Sequence, residues 1–157
     1  MSKNENVIIA KAISNEIQVL TDISKRAFES DKLLGNIDVS GPPNYDSESW
    51  HFEMVKKGTL YSIKNEEKII GGAVIFKDYR NEHIMYLGRL FIDPDFHRLG
   101  FGQASMEILE KMFPAITLWK LETPVWNERT NRFYQHLKYV EIRRDSQSIY
   151  YQKEIIK

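Results

Sequence analysis

The stretch from Gly88 to Phe113, GRLFIDPDFHRLGFGQASMEILEKMF, constrains the fold of this chain more than any other part of it. It begins with an apolar run that is typical of a buried strand, and Asp93-Pro94 ends that run. It finishes with residues at the i, i+3, i+4 and i+7 spacing of one buried helix face: Ser105, Ile108, Leu109 and Met112. The stretch therefore predicts a strand and a helix that are joined by a short turn.

The turn between them, from His97 to Gln103, contains two glycines. Gly100 and Gly102 let the backbone adopt unusual φ values and let a ligand approach closely. Because the N–H groups of such a turn point outward beside the positive end of the helix dipole, they form an anion site that fits a phosphate. Neither the nucleotide P-loop motif nor the dinucleotide motif Gly-x-Gly-x-x-Gly occurs in the chain. The alternative is a tight strand-to-helix turn that binds no ligand.

Composition narrows the class of protein. The length of 157 residues suits a single domain over residues 1–157. Lys plus Arg and Asp plus Glu each number 22, so no overall charge draws the chain to nucleic acid or to an acidic membrane surface. Cysteine is absent, and the 4 histidines have no metal-ligand spacing, so we propose no metal. Since there is neither an apolar run long enough to span a membrane nor a signal peptide, we predict a cytoplasmic protein.

The N-terminal part of the chain predicts a strand, a helix and then a long loop. Val7 to Ala10 is a short apolar run, and Ser14 is the predicted cap of the helix that follows. The predicted apolar face of that helix consists of Ile13, Ile17, Leu20, Ser24, Ala27 and Phe28. Periodicity then fails from Glu29 to Tyr45, and loops of that length are often functional lids.

A second helix is predicted after this loop. Asp46 is its predicted cap, and Gly58 is expected to end it just after Lys57. Tyr45 before the cap and Trp50 after it are the predicted pair of a hydrophobic staple.

Three strands with short polar links come next and predict an antiparallel meander. They are Thr59 to Ile63, Ile69 to Phe76, and His83 to Ile92. Gly71-Gly72 inside the second of them indicates a bulge or a close backbone contact. Ile116 to Leu121 follows the helix after the glycine turn, so it is expected to lie parallel to the strand that ends at Ile92, in a right-handed βαβ unit.

The remaining chain predicts a helix and a closing hairpin. Asn127 is a good helix cap. The hairpin consists of Tyr139 to Ile142 and Ser148 to Tyr151, which turn around Asp145 to Gln147.

Two motifs resemble those of a known family. From Pro94 to Gly102 the chain has the spacing of the acetyl-CoA pyrophosphate loop of the GNAT N-acetyltransferase superfamily, Pro-x-x-(Gln/Arg)-x-x-Gly-x-(Gly/Ala), with His97 where the family usually has Gln or Arg. Asn131 to Tyr139 resembles the family segment (Ala/Asn)-x-x-Phe-Tyr-x-x-x-Gly-Phe. It has one residue fewer before Phe133, and Lys138 takes the place of the glycine.

The order of predicted elements also resembles that of the GNAT fold. The resemblance implies an α/β protein with a central, largely antiparallel sheet of about seven strands, one parallel βαβ unit and four helices. It further implies an N-acetyltransferase that uses acetyl-CoA as its co-substrate. The expected acceptor is a primary amine of a small molecule or a peptide, which attacks the thioester directly.

The resemblance assigns the residues that bind acetyl-CoA. Backbone groups of Leu90, Phe91 and Ile92 are expected to pair with the pantetheine amides where two strands splay apart, and an N–H there is expected to polarise the thioester carbonyl. Asn127 matches an asparagine that contacts the pantetheine arm, besides its role as a cap. The expected pyrophosphate loop comprises His97, Arg98, Leu99, Gly100, Phe101, Gly102 and Gln103.

By the same resemblance, Tyr134 matches the tyrosine that usually acts as general acid. A tyrosine has a pKa near that of an alkyl thiol, about 10, so it can protonate the departing thiolate. The alternative is a half-buried structural tyrosine. The general base stays open, because Tyr86 stands where many members carry a glutamate. The candidate substitutes, each of which could instead be a surface residue, are Glu82, His83 and Glu122.

Partners are less constrained by the sequence. The acceptor is expected to enter over the long loop and the second helix, where acidic residues suit a cationic amine: Asp38, Asp46, Glu48 and Glu53. The C-terminal hairpin is a candidate homodimer contact, on the expectation that Ile149, Tyr150 and Tyr151 are exposed.

Two other classes of function compete with the enzyme. One is a non-catalytic acyl-CoA-binding or regulatory module, which the missing glutamate favours and the retained Tyr134 opposes. The other is an interaction domain whose glycine turn is incidental, which predicts no affinity for CoA.

Overall fold

The computed structural model describes residues 6–30 and 41–156. In these ranges the helices are α1 (Ile17–Glu29), α2 (Glu48–Lys57), α3 (Phe101–Met112) and α4 (Glu128–His136). The strands are β1 (Val7–Lys11), β2 (Leu60–Asn65), β3 (Lys68–Lys77), β4 (Ile84–Ile92), β5 (Leu118–Pro124), β6 (Val140–Arg144) and β7 (Ser148–Glu154). No described helix has the length and apolar character needed to cross a membrane.

The seven strands form one sheet in the order β1-β2-β3-β4-β5-β7-β6. The β1–β2, β2–β3, β5–β7 and β6–β7 pairs are antiparallel. The β4–β5 pair is parallel and joins Ile84–Tyr86 to Leu118–Lys120, and β4 then continues to Ile92. The predicted mixed sheet, with one parallel βαβ unit and four helices, is confirmed.

The chain divides into two compact units, which we describe separately. Unit 1 comprises Met1–Ile75 and Arg89–Leu109, and unit 2 comprises Phe76–Gly88 and Glu110–Lys157. The core of unit 1 consists of Ala12, Leu20, Ile23, Ala27, Leu60, Val74 and Phe91. In unit 2, Trp119 and Tyr151 are the largest fully buried side chains. The prediction of a single domain stays a prediction.

The start of α1 differs from its prediction. Ser14 does not cap it, because Ser14–Glu16 forms a 3-10 turn and the α-helix begins only at Ile17. The Glu16 carboxylate is buried, accepts a hydrogen bond from Ile13 N–H at 3.0 Å and pairs with Lys64 at 2.9 Å. This tertiary pair holds the chain before the helix, and it leaves Ile13 exposed rather than on the apolar face.

The observed start of α2 differs by one residue from the start that the sequence predicts. Ser47, not Asp46, is the N-cap, and its Oγ accepts a hydrogen bond from Trp50 N–H at 3.1 Å. The shift removes Tyr45 from the staple position, and its ring packs edge-on against Phe28 instead. Gly58 ends the helix in the left-handed conformation, as predicted. The central part of the predicted loop before α2, including Asp38, lies outside the described residues.

Gly71 and Gly72 provide both features that the sequence predicts for them. The β2–β3 register shifts beside Gly71, since Ile63 pairs with Gly71 whereas Lys64 pairs with Ile69. A Cβ atom on Gly71 would lie 2.2 Å from the Phe91 carbonyl oxygen, and one on Gly72 would lie 2.5 Å from the Phe91 ring. Only glycine therefore allows β3 to approach this part of β4 so closely.

The C-terminal hairpin has its predicted strands, but its exposure was predicted wrongly. Ile149 and Tyr151 are buried, at 4% and 1% exposure. The reason is the strand order, because β7 lies between β5 and β6 and leaves β6 at the edge of the sheet. The exposed apolar side chains of the hairpin are Val140 and Ile142 of β6. The homodimer stays a prediction, without Ile149 and Tyr151 as its contact.

Lys138, just after α4, has a φ of 77°, the left-handed conformation that favours glycine. We expect Lys138→Gly to raise the free energy of unfolding by about 1 kcal/mol, because glycine adopts this conformation without steric strain. Urea denaturation measures the change. His136→Gly, at the last residue of α4, is the matched control and is expected to lose about 1 kcal/mol. Equal effects of the two substitutions would contradict the strain at Lys138.

Candidate functional site

The connection from β4 to α3 is anchored inside unit 1 at Asp93. The Asp93 N–H donates to the Ile70 carbonyl at 2.7 Å, which joins the end of β4 to β3. The Asp93 carboxylate is buried and accepts a hydrogen bond from Asp95 N–H at 3.0 Å, which caps the 3-10 turn Pro94–Phe96. The turn therefore begins from a fixed point.

Arg26 of α1 holds this carboxylate from the other side. Its Nη1 and Nη2 donate to the two Asp93 oxygens at 2.8 and 3.0 Å, a bidentate pair. Burial alone would raise the pKa of Asp93, but the hydrogen bonds from Arg26 and Asp95 and the positive charge of Arg26 lower it below its usual value. The pair is 67 positions apart in sequence.

Asp93→Asn is expected to lower the free energy of unfolding by about 2 kcal/mol at pH 7, since it removes a charge-assisted pair from a buried site. Because the folded-state pKa is lowered, this stability is present above the ordinary carboxyl pKa of about 4 and is lost as pH falls below it. Urea denaturation between pH 7 and pH 3 should therefore show wild type and variant converging in acid.

Asp22→Asn is the matched control, because Asp22 pairs with the same arginine at 3.2 Å but is exposed. We expect it to change stability by less than about 1 kcal/mol. A pH-independent difference between wild type and Asp93→Asn would contradict the role of the Asp93 charge.

His97, which departs from the family motif, braces the glycine turn. Its Nε2 lies 2.7 Å from the Ile92 carbonyl oxygen, and because a carbonyl only accepts, Nε2 carries the proton and donates. The next residues have left-handed backbone, with φ of 63° at Arg98 and 85° at Gly100. The turn thus reverses direction in a conformation that favours glycine at position 100.

The N-terminus of α3 is the part of the chain where the sequence predicts an anion site. Gly100 C=O accepts from Ala104 N–H at 3.0 Å, so the helix ladder begins there. Among the described residues, none accepts a hydrogen bond from the N–H groups of Phe101, Gly102 or Gln103. These amides lie at the positive end of a helix of 12 residues, where a phosphate is stabilised. The donor set fits a pyrophosphate.

Packing and hydrogen bonds of neighbouring side chains hold the amides at the start of α3 in position. Phe101 is 2% exposed and packs edge-on against Phe96, with ring centroids 5.7 Å apart. Ser105 Oγ donates to the Phe101 carbonyl at 2.6 Å. Arg98 and Leu99 are exposed on the outer side of the turn. The helix start is therefore rigid, and only its backbone groups and exposed side chains are available to a ligand.

The segment from Leu90 to Ile92 belongs to the core of unit 1. Phe91 and Ile92 are buried, and the Phe91 ring contacts the rings of Phe28 and His51. Their side chains hold the strand in place, so what they can offer a ligand is their backbone groups. Their role in binding the pantetheine arm stays a prediction.

In unit 2, Asn127 is confirmed as the cap of α4, and it accepts a hydrogen bond from Thr130 N–H at 3.1 Å. Asn131, one turn later, is fully satisfied in a buried network. Its amide donates to the carbonyls of Pro124 and Asn127, and its oxygen accepts from the hydroxyls of Thr123 and Tyr151. The network fixes the position of α4 against β5 and β7.

Tyr134 lies on α4 with 7% exposure, between the rings of Phe133 and Tyr139 at 4.9 and 5.7 Å. None of the described residues makes a hydrogen bond with its hydroxyl. Burial raises the pKa of Tyr134 above its usual value. The side chain is therefore a protonated donor with no acceptor among the described residues, in contrast to Tyr139, which donates to Glu110 at 3.0 Å.

The candidates for the general base, also in unit 2, are not assembled into one group. Tyr86 donates to Asp78 at 3.2 Å and stacks on Phe76, and its pKa is raised by burial and then by Asp78. His83 Nδ1 donates to the Ala115 carbonyl at 2.9 Å, and Glu82 lies 3.8 Å from the same ring. Glu122 is exposed on β5. The identity of the base stays a prediction.

Comparison with known proteins decides the family. The model of the acetyltransferase (GNAT) family matches residues 18–139. The chain belongs to the GNAT acetyltransferase family. Among curated proteins, no sequence matches this GNAT protein.

Solved structures agree with the fold. A GNAT-family acetyltransferase from Streptococcus agalactiae has a TM-score of 0.85 at 15% identity, over 98% of each chain. An acetyltransferase from Thermus thermophilus has a TM-score of 0.80 at 11% identity, over 98% of this chain and 99% of that one. The PaiA N-acetyltransferase from Thermoplasma acidophilum, solved with coenzyme A, has a TM-score of 0.72 at 16% identity, over 95% and 99%. The predicted family and the GNAT-like fold are confirmed.

Sequence reasoning missed several residues around the site. Arg26 and Asp93 carry no motif, and their pairing is visible only in three dimensions. Asn131 was placed in the second motif without a role. Arg89 is a charged residue inside the otherwise apolar β4, and that contrast was the available signal. Among the described residues, no group of three or more His, Asp or Glu side chains could hold a metal ion.

Proposed function

We propose that this GNAT protein is an acetyl-CoA-dependent N-acetyltransferase that acts on a primary amine of a small molecule or a peptide. The observation that carries the proposal is the row of unpartnered amides at the start of α3, in a chain of the GNAT family. A structural relative, the PaiA N-acetyltransferase, is known with coenzyme A.

The proposal gives each predicted residue one task. The turn from His97 to Gln103 binds the pyrophosphate through the amides of Phe101, Gly102 and Gln103. Backbone groups of Leu90 to Ile92 hold the pantetheine arm, and one of their N–H groups stabilises the oxyanion. The side chain of Asn127, which already caps α4, contacts the same arm.

The chemistry is direct transfer. The lone pair of the neutral amine attacks the thioester carbonyl carbon, and the tetrahedral oxyanion collapses with cleavage of the C–S bond. Tyr134 donates its phenolic proton to the departing sulfur, and the amine loses its extra proton to a base or to water. Burial raises the pKa of Tyr134, which keeps the phenol protonated at neutral pH but also makes it a weaker proton donor to the thiolate.

The experiment is the shift in melting temperature with acetyl-CoA, CoA and ATP, followed by a thiol-release screen over a panel of amines. Stabilisation by both CoA species but not by ATP is expected, because ATP lacks the pantetheine arm. At about 100 times Kd the ligand adds about 2.7 kcal/mol to the free energy of unfolding. No shift with either CoA species would refute the pyrophosphate site, and the transferase would fall with it.

A non-catalytic acyl-CoA-binding module is the second candidate, and the observation that favours it is Tyr86 at the position of the family glutamate. Tyr86 is already bonded to Asp78. The module predicts stabilisation by CoA with no thiol release from any amine, whereas the enzyme predicts release that depends on Tyr134.

A further inference from the structure

Arg89 of β4 is a guanidinium that has no carboxylate partner in the part of the chain that the structure describes. Its Cζ lies over the Trp50 ring of α2, 3.9 Å from the ring centroid, and Nη2 donates to the Pro43 carbonyl. Nη1 is buried and has no hydrogen-bond acceptor. Among the described acidic residues, none pairs with Arg89. A buried cationic donor left unsatisfied is costly, so such groups usually have a partner.

The guanidinium is nevertheless charged and held in one orientation. Burial lowers the pKa of Arg89 to about 10, which leaves it protonated at neutral pH. Stacking on Trp50 fixes its plane, and the bond to Pro43 fixes its rotation. The residue as a whole is partly exposed whereas Nη1 is buried, so an anion that binds Nη1 must displace the groups that cover it. A planar, oriented guanidinium suits bidentate recognition of a carboxylate.

His51, next to Trp50 on α2, is a second unsatisfied group in the same part of unit 1. It is fully buried, and its Nδ1 lies 2.7 Å from the Ser47 carbonyl, so Nδ1 carries the proton. Nε2 is then a bare acceptor, and it has no partner. Burial and the nearby charge of Arg89 lower the pKa of His51, so the imidazole is neutral and supplies no counter-charge. Among the described residues, neither Arg89 nor His51 has a carboxylate partner.

The position of Arg89 in the chain indicates what it could bind. Arg89 directly precedes Leu90 to Ile92, the segment whose backbone is proposed to hold the pantetheine arm. Its guanidinium also lies over Trp50 of α2, the helix over which the acceptor is expected to enter. We propose that Arg89 binds a carboxylate of the acceptor, so that the substrate is an amine that also carries a carboxylate, such as an amino acid or an acidic peptide. This inference rests on the proposed N-acetyltransferase function.

The test compares acids with their amides. Pairs of N-acetyl amino acids and the corresponding primary amides, as product analogues, are added to the protein with saturating CoA, and melting temperatures are recorded. We expect at least one acid to stabilise the wild-type complex where its amide does not. Arg89→Gln is expected to weaken binding of that acid by about 10- to 100-fold, the loss of a charge-assisted hydrogen bond. Arg89→Lys should keep part of the affinity for that acid.

Arg143→Gln is the matched control. Arg143 stacks on Tyr150 at 3.8 Å, the same geometry as Arg89 on Trp50, but it lies in the exposed hairpin of unit 2. The Arg143→Gln variant should bind acids with the same affinity as the wild type. With a turned-over amine, Arg89→Gln should raise KM for the acid form and leave KM for the amide form unchanged. A lower melting temperature with unchanged discrimination would mean that Arg89 is only structural.

The two proposals fail in different ways. An intact CoA shift with no preference for acids over amides, or with a preference that survives Arg89→Gln, overturns the carboxylate site alone. Absence of the CoA shift overturns the proposed function, and the carboxylate site with it.

Discussion

Tyr134→Phe is expected to lower kcat by roughly 10²- to 10⁴-fold and to leave the affinity for CoA unchanged, because a positioned general acid contributes on that scale. The substitution removes only the phenolic oxygen, and the ring contacts with Phe133 and Tyr139 remain. Since that hydroxyl has no hydrogen-bond partner among the described residues, the melting temperature should stay the same or rise slightly. Steady-state thiol release and the CoA thermal shift measure the two quantities.

Tyr139→Phe is the matched control, since Tyr139 is also buried and touches the Tyr134 ring. Its hydroxyl is bonded to Glu110, so this variant should lose about 1 kcal/mol of stability or more and retain kcat. The opposite pattern, a stable and inactive Tyr139→Phe beside an active Tyr134→Phe, would exclude Tyr134 as the acid. If wild type and Tyr134→Phe had the same kcat, a group other than Tyr134 would be the proton donor.

Gly71→Ala is expected to lower the free energy of unfolding by about 3 kcal/mol or more. The new methyl group would lie 2.2 Å from the Phe91 carbonyl oxygen and 3.2 Å from Ile92 Cα. Backbone atoms cannot rotate away as a side chain can, so β3 and the segment at Phe91 must separate. Because that segment is proposed to hold the pantetheine arm, the surviving folded protein should also bind CoA more weakly. Urea denaturation and the CoA thermal shift test both effects.

Gly58→Ala separates steric clash from backbone strain. Gly58 has φ of 73°, but a Cβ there meets only the flexible end of Lys11, at 3.3 Å. Its expected loss is about 1 kcal/mol, from the left-handed conformation alone, with CoA binding unchanged. If both alanine variants lost the same amount of stability, the close approach of Gly71 to β4 would not be the reason that glycine stands there.

Local patterns were sufficient for most of the fold. The strand, glycine turn and helix from Gly88 to Phe113 were predicted because apolar spacing and glycine position are properties of neighbouring residues. The parallel β4–β5 pair followed from the intervening helix, and Asn127 was recognised as a cap because cap chemistry is local. Asp46 and Ser47 are adjacent good caps, and only the helix geometry selects Ser47.

The order of the last two strands shows where local information ends. β6 alternates apolar and charged residues whereas β7 contains the run Ile149-Tyr150-Tyr151, but neither pattern identifies the strand with which it pairs. Pairing of β7 with β5 buries Ile149 and Tyr151 and exposes Val140 and Ile142. That choice depends on a partner strand contributed by a distant part of the chain.

The sequence by itself determined the family, the fold class, the glycine turn and the tyrosine of the second motif, because each depends on short spacing or on residue type. Only the tertiary structure decided the environment of the charged groups. It paired Arg26 with Asp93 across 67 positions and placed Arg89 over Trp50, where no described residue supplies a carboxylate. The reason is physical: the charge and pKa of a buried group depend on what surrounds it in space, and sequence distance does not record those neighbours.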